Sequence, residues 1–584
     1  MKKLGEKLLV VYPYIFAFLY FIILMFIETS SLYAFQNKSF LTTREYFSPF
    51  LEYSGGLFDY LGLFFSEMLK FNFPGALLYA LITLASILLY KNLLIRTGVN
   101  KNLLLISAYP FIFIFSLTFN HFHPLSMNLK MLFTLSVLYI ILGFSSKRTA
   151  YQILSTIFFV ILWYLCGLEF FIIAFVYLLI HTTINKVLLK NTAAFIISAI
   201  IILLLNTYVY YTPLVQTLSR VNEYGSQLPR VLFFAYVMFM LVPITAIIKL
   251  NISINEILQI LIIIVIGYLI GLRSFSRVNH TISKFLDAGN KNEYSKILHM
   301  RKQTEINTRI ISAYTNLALI NKRNLLDQMF IYNQGAGKDG LFPSREFDNF
   351  NAYSNMKLCF NLGLSNQTVR WAMEATTYFG FNAEILKHLI LAHLVNDEIK
   401  VAEKYNLMLE NTIFNNKQKK NIGKILADYK NGTLDRLIIE KKRLKPKEDF
   451  FTGNRNDQEI FSWASKANNN PKAFECYIAA CLLENDFEDV KKVILNFRAL
   501  GYKRLPIHVQ EALCLFYAEG QEPPDLHGFQ IDQNIMQDCA WFFHTISRYS
   551  ENLQLAHDEL VQRTGNTYWF YLYYISPVTR ARNE

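Results

Sequence analysis

Glu28 and Asp59 are the two acids whose setting could support chemistry. Glu28 closes an apolar run in Phe26-Ile27-Glu28-Thr29, and Asp59 lies inside EYSGGLFDYLGLFFSEMLKFNFPG (Glu52–Gly75), which is nearly as apolar as a membrane span. Two readings fit each acid. At a solvated helix end a carboxylate reaches water and is tolerated. Partly withdrawn from water, its pKa rises toward that of a general base, or it holds a cation. His121 and His123, in Asn120-His121-Phe122-His123-Pro124, could put two imidazoles on one side of an extended turn. That suits zinc or another divalent cation, although two ligands do not make a site; hydrogen bonding at an interface is the plainer reading, and phosphate contact a third. Lys130 lies more than a turn into the apolar stretch that follows. It either snorkels outward or meets a lipid-linked phosphate.

The elements that would position these residues follow from the distribution of charge. Of 584 residues, 53% are hydrophobic and 17% charged, with a formal net charge of +13. Residues 1–272 hold 17 Lys and Arg and 9 Asp and Glu, leaving 40 and 35 for residues 273–584. A charge-poor first half before an ordinary second half predicts a membrane domain followed by a water-soluble one.

Nine stretches are apolar enough to cross about 30 Å of hydrocarbon: Leu8–Ile27, Gly75–Ile95, Leu103–Phe119, Leu125–Gly143, Tyr151–Leu165, Phe170–Ile184, Thr192–Tyr211, Val231–Ile248 and Ile257–Leu272. Cys166-Gly167-Leu168-Glu169 would break the fifth from the sixth. With the N-terminus inside, the inner segments hold 11 basic residues and the outer ones 5, the bias that sets orientation. Seven of the nine acids (Glu28, Glu45, Glu52, Asp59, Glu67, Glu169 and Glu223) then fall outside, and so does everything after the ninth span.

The first outer loop, residues 28–74, is the longest of the membrane half. Ser54-Gly55-Gly56 is expected to start a helix and Asn72-Phe73-Pro74 to end it. Its polar positions, Asp59, Ser66, Glu67 and Lys70, share a stripe with Gly62. A narrow polar stripe on an apolar helix predicts an element in the headgroup plane, its acids turned to a wet cleft or to the protein.

Residues 273–584 read as helical hairpins: Asn307–Ile320 with Leu325–Tyr332, Ala383–Val395 with Ile399–Leu409, and Lys472–Leu483 with Val490–Phe497. Asn333–Asn351 and Lys441–Asp457 read as loops. The aromatic tail Thr567–Tyr574 is expected to pack into the last hairpin or to rest on the bilayer. The six cysteines show no metal or redox spacing and read as buried apolar residues. No phosphate loop, nucleophile elbow or zinc-protease motif is present, and no basic run interleaved with aromatics points to nucleic acid.

Three segments carry a resemblance. Thr42-Thr43-Arg44-Glu45-Tyr46-Phe47 running on to Gly55-Gly56-Leu57-Phe58-Asp59-Tyr60-Leu61, then Phe73-Pro74-Gly75-Ala76-Leu77, and Gly565-Asn566-Thr567-Tyr568-Trp569-Phe570-Tyr571 resemble an uncharacterised family of bacterial multi-span membrane proteins with a C-terminal tetratricopeptide-like domain. The membrane half is also similar to multi-span glycosyltransferases that use lipid-phosphate sugars. That second resemblance implies Glu28 as catalytic base, Asp59 as the residue orienting the acceptor or a cation, and Lys130, Arg220 or Arg230 at the lipid phosphate. Glu28 lacks the paired acid usual in that class, and His121 and His123 stand where its second outer loop often carries an acid.

The expectation is an all-α protein: a polytopic helical membrane domain of about nine spans, residues 1–272, followed by a soluble α-solenoid, tetratricopeptide-like domain, residues 273–584. The corresponding function is an inner-membrane protein with its helical-repeat domain outside, acting in envelope assembly or as a scaffold. A glycosyltransferase-like enzyme and a transporter are the alternatives. The expected partners are membrane lipids, a lipid-linked sugar, and envelope proteins or peptides on the repeat domain, with no nucleic acid. No cofactor is assigned, and a divalent cation is compatible with the histidine pair.

Overall fold

The computed structural model describes residues 2–36, 39–108, 124–142, 149–167, 188–209, 256–343, 350–447, 470–518, 525–550 and 552–577, with a few single positions between them, among them His121 and Phe239. Among the described residues the chain is all-α, the sole extended pairing being an isolated bridge between Leu41 and Thr412. It divides into two units, one of residues 1–283 with 411–414, the other of 284–410 with 415–584.

In the first unit, α1 (Lys2–Ile27) packs along α5 (Asn72–Arg96). Between them lie α2 (Thr29–Gln36), α3 (Arg44–Leu51), α4 (Gly56–Ser66) and a 3-10 turn, Glu67–Lys70. Then come α6 (Leu125–Ile141), α7 (Thr149–Cys166), α8 (Leu188–Tyr208) and α9 (Glu256–Ser274). Tyr90, Leu105, Leu138, Leu162 and Trp163 are buried at the centre. Phe18, Leu81, Ile153, Ile200, Val265 and Tyr268 are each more than half exposed. Large apolar side chains on the outside of apolar helices are what a lipid-facing surface requires.

The count of nine spans is corrected. Among the described residues two helices are long and apolar enough to cross a membrane, Leu9–Ile27 and Asn72–Arg96. A third counts if Leu258–Arg273 and Arg277–Asn290, bent by 64°, are one span. Leu125–Ile141, Ile153–Cys166 and Ile196–Tyr208 are apolar but shorter. Composition alone does not separate lipid contact from burial. In the expected span Leu103–Phe119, the stretch Lys101–Ala108 forms a 3-10 turn and Leu105, Ala108, Phe111 and Ile112 are buried in protein. The expected spans Phe170–Ile184 and Val231–Ile248 lie almost wholly outside the described residues.

Asn72-Phe73-Pro74 is also corrected: it opens α5 and does not close the loop helix. Proline is at ease in a first helical turn, where its missing N–H has no partner to lose.

After α10 (Arg277–Asn290), the second unit runs through α11 (Tyr294–Lys302), α12 (Arg309–Lys322), α13 (Phe350–Asn361), α14 (Ser365–Phe379), α15 (Ala383–Val395), α16 (Ile399–Glu410), α17 (Asn416–Lys430), α18 (Arg436–Leu444), α19 (Pro471–Glu484), α20 (Ile507–Ala518), α21 (Gln533–Arg548) and α22 (Leu553–Thr564). Side-chain caps set several starts: Thr308 accepts from Ile311 N, Asn382 from Ile385 N and Asn470 from Ala473 N. The stretch from Lys441 is not all loop, because α18 runs to Leu444. Helices α13 to α17 pack each on the next. These neighbour contacts alone do not establish the expected solenoid, in which repeats join only their neighbours. Here Arg323 bonds Glu475, Phe330 N donates to His508 Nε2, and Tyr571 donates to the Leu483 carbonyl.

Candidate functional site

The ionic groups of the first loop are held by two glycines. Gly55 precedes α4 with φ +87°, a left-handed conformation, and donates to the Tyr164 carbonyl at 2.7 Å. A Cβ at Gly55 would lie 2.9 Å from Lys130 Nζ, so the bare backbone leaves room for the ammonium. At Gly62 a Cβ would come within 2.6 Å of Ser126, so α4 lies directly on α6. The polar stripe of α4 therefore faces the protein.

Asp59 and Lys130 meet on that contact. Nζ lies 2.8 Å from Asp59 Oδ1, and Tyr53 donates to Oδ2 at 3.3 Å. The side chains are 23% and 11% exposed, so the pair is largely shielded from water. Lys130 thus reaches an acid 71 residues away along the chain. A charge-assisted bond in such a setting is stronger than one in water.

Glu67 is the deeper acid. It is fully buried, paired with Lys70, and accepts from Phe40 N at 2.9 Å and the Tyr33 hydroxyl at 3.2 Å. Lys70 also lies 4.9 Å over the Tyr33 ring. Burial first, and then the Glu67 carboxylate, push the Tyr33 phenol well above its ordinary pKa, which keeps it a donor. This carboxylate ties α2, the strand-like segment at Phe40 and the turn before α5 to one point. Sequence reasoning placed Glu67 only on a stripe; the Glu-x-x-Lys spacing within an apolar helix was the signal for a buried pair.

Glu28 is half-buried at the junction of α1 and α2, with φ +62°. Its carbonyl accepts from Ser31 N at 2.9 Å and Ser31 Oγ at 2.8 Å, capping the turn. Thr29 and Ser30 bond the start of α5: Thr29 Oγ1 donates to the Asn72 carbonyl at 3.3 Å, and Asn72 Oδ1 accepts from Ser30 N at 3.0 Å. His121 is buried, with its ring 5.5 Å from Phe35 and 5.7 Å from His280. His123, Arg220 and Arg230 lie outside the described residues. Among the described residues no three His, Cys, Asp or Glu side chains are grouped to hold a metal.

One family model matches this chain, over residues 3–575. The chain belongs to DUF6057, a family of unknown function. No curated protein and no solved structure matches it.

The second unit of this DUF6057 chain buries a charged cluster of its own. Glu384 accepts from Lys357 at 2.6 Å and Lys387 at 2.8 Å, with His388 Nδ1 2.8 Å from the Glu384 carbonyl. Burial pulls the Lys357 ammonium down to about 8, against the pull of Glu384. Burial also opposes ionisation of Glu384, yet the two lysines hold its carboxyl well below the usual range. His388 falls to about 3, again through burial, and stays neutral. His508 and Glu511 form a second buried pair, and Glu511 Oε2 accepts from Tyr568 N at 2.8 Å. That bond and Trp569 Nε1, which donates to the Glu511 carbonyl at 2.7 Å, lock the aromatic tail into the unit.

Proposed function

We propose that this DUF6057 chain is an integral inner-membrane protein of the cell envelope, with its helical second unit outside the cytosol and a scaffolding role. The observation that carries this reading is the Asp59–Lys130 pair. The acid and the cation singled out for chemistry neutralise each other at 2.8 Å and fasten the first loop to a membrane-side helix. Glu67, the best-sheltered acid of the loop, is likewise spent on Lys70, Tyr33 and Phe40. Ion pairs that tie a loop to the helices beneath it stiffen a platform. The paired helices α13 to α17 would offer the outer surface for envelope proteins or peptides. A multi-span topology with the second unit outside the cytosol is part of this proposal; the bias of basic residues supports the orientation and does not set the number of crossings.

The same pair favours a second reading. Asp59 and Lys130 are two of the residues that the likeness to lipid-phosphate-sugar glycosyltransferases singled out, and they converge. In that reading an incoming lipid phosphate takes Lys130 from Asp59 and frees the carboxylate to orient an acceptor, with Glu28 as base.

Reversing the pair separates the two. In a strain lacking the gene, the single variants Asp59→Lys and Lys130→Asp each bury an unmatched charge and should fail to complement. The double reversal restores the fastening, so a scaffold recovers function. An enzyme that needs a carboxylate and a cation at those positions stays inactive although the double variant accumulates normally, and that outcome would overturn the scaffold reading.

A further inference from the structure

The second unit carries its positive charge in one place. Residues 416–447 hold eleven Lys and Arg against three Asp and Glu, whereas the other 280 residues after 272 hold 29 and 32. The excess therefore belongs to α17, α18 and the segment just after them. Part of it is consumed internally: Lys430 pairs with Glu403, Lys442 with Asp397 and Lys441 with Glu440, and Lys419 donates to the Glu410 carbonyl.

The remainder is exposed and ordered by the helix. Ile422, Ile425, Leu426 and Tyr429 turn into the core beside α15, which leaves Lys417, Lys420 and Lys424 exposed on the opposite side. At about 100° per residue those three lysines fall within roughly 60° of one another. On α18, Ile438 is buried while Arg436, Ile439 and Arg443 share the outer stripe, and Ile439 is 52% exposed. Among the described residues none of Lys417, Lys420, Lys424, Arg436 and Arg443 is within ion-pair distance of a carboxylate.

The chain enters α17 from a membrane boundary. Residues 411–414 belong to the first unit, where Thr42 N donates to the Asn411 carbonyl at 3.1 Å. The Phe414 ring stands edge-on to Phe71, 6.2 Å away. Phe71 directly precedes the membrane helix α5, and Phe71, Phe73 and Phe414 are about half exposed, at 50%, 59% and 49%. Exposed aromatics at the start of a span mark the level of the headgroups. Lys417 follows Phe414 by three residues.

We propose that the outer faces of α17 and α18 bind the headgroups of anionic phospholipids. Cations on an amphipathic helix that follows a headgroup-level segment directly in the chain are the arrangement that recognises such a surface, and each one held there favours the bound state about fivefold. Isolated apolar side chains among the cations, such as Ile439, add shallow insertion. The inference rests on membrane anchoring and is independent of whether Asp59 and Lys130 form a fastening or a catalytic pair.

The test uses the full chain in nanodiscs of phosphatidylcholine alone or with added phosphatidylglycerol. An amine-reactive reagent labels exposed lysines, and mass spectrometry compares Lys417, Lys420 and Lys424 with the exposed Lys503. The three lysines should label several-fold more slowly in the anionic bilayer at low salt, and the difference should vanish at about 0.5 M salt, where screening acts over only a few Å. Equal labelling in both bilayers at low salt overturns the proposal. So does protection that is already complete in phosphatidylcholine and insensitive to salt, which would assign the face to a protein neighbour.

Discussion

Glu67 shows how much a single buried carboxylate can organise when both of its oxygens have donors. Phe40 N, the Tyr33 hydroxyl and Lys70 converge on it. Glu67→Ala strips all three at once and should lower stability by about 3 kcal/mol, the usual cost of leaving buried partners orphaned. Glu67→Gln keeps an acceptor for Phe40 N and should cost less than half of that. Thermal unfolding of the detergent-solubilised chain measures both, and equal effects would show that the charge, which both variants remove, decides the stability there and that the volume and acceptor kept by glutamine do not. Residues of this kind were only partly legible in the sequence. Asp59 and Lys130 were each noticed for their type, but the bond between them joins positions 71 apart, and a single sequence carries no signal for such a pairing. Of the two histidines of the His-x-His turn, His123 lies outside the described residues, and His121 is buried with its ring near Phe35 and His280.

At the scale of elements, legibility followed the strength of local rules. The helix Ala383–Val395 was expected at its observed bounds, because Asn382 caps it and apolar residues at helical spacing, Leu386, Leu389, Ile390 and Leu394 among them, fill its buried face. The second members of two hairpins were less regular than expected. Leu325–Tyr332 resolves into a short helix and a 3-10 turn, and Val490–Phe497 falls within two short helices, because tertiary contacts outweigh propensity in such short pieces. The loop helix α4 was expected at the headgroups with its stripe toward a cleft or the protein, and the closeness of Gly62 to Ser126 decides for the protein. Gly62→Leu should therefore push α4 from α6 and cost about 1–3 kcal/mol, as overpacking does. The same variant should weaken the Asp59–Lys130 bond. Raised labelling of Ser126→Cys, on the buried α6 face that Gly62 covers, in the Gly62→Leu background would report the separation that loosens the pair, and unchanged labelling would contradict the account.

For the whole molecule, the contrast in charge between the halves was plain in the composition, but the number of crossings was not. Leu105, Phe111 and Leu138 are as apolar as lipid-facing residues and are buried instead. The second unit has a pH dependence of its own. Folded His388 binds a proton only near pH 3, the unfolded imidazole near 6.5, so the unfolded state takes up protons first and stability falls as pH drops through that window. Glu384, whose folded carboxyl is depressed by Lys357 and Lys387, adds a further loss below its unfolded value of 4.5. His388→Gln should flatten the upper part of that decline in pH-dependent thermal unfolding while leaving the lower part. The central claim is that the second unit stands outside the cytosol on a membrane anchor. Paired fusions after Glu584 test it most directly, one to a phosphatase active only outside the cytosol and one to a fluorescent protein that matures only inside. The account predicts an active phosphatase and a dark fluorescent fusion; a bright fluorescent fusion with an inactive phosphatase would contradict it.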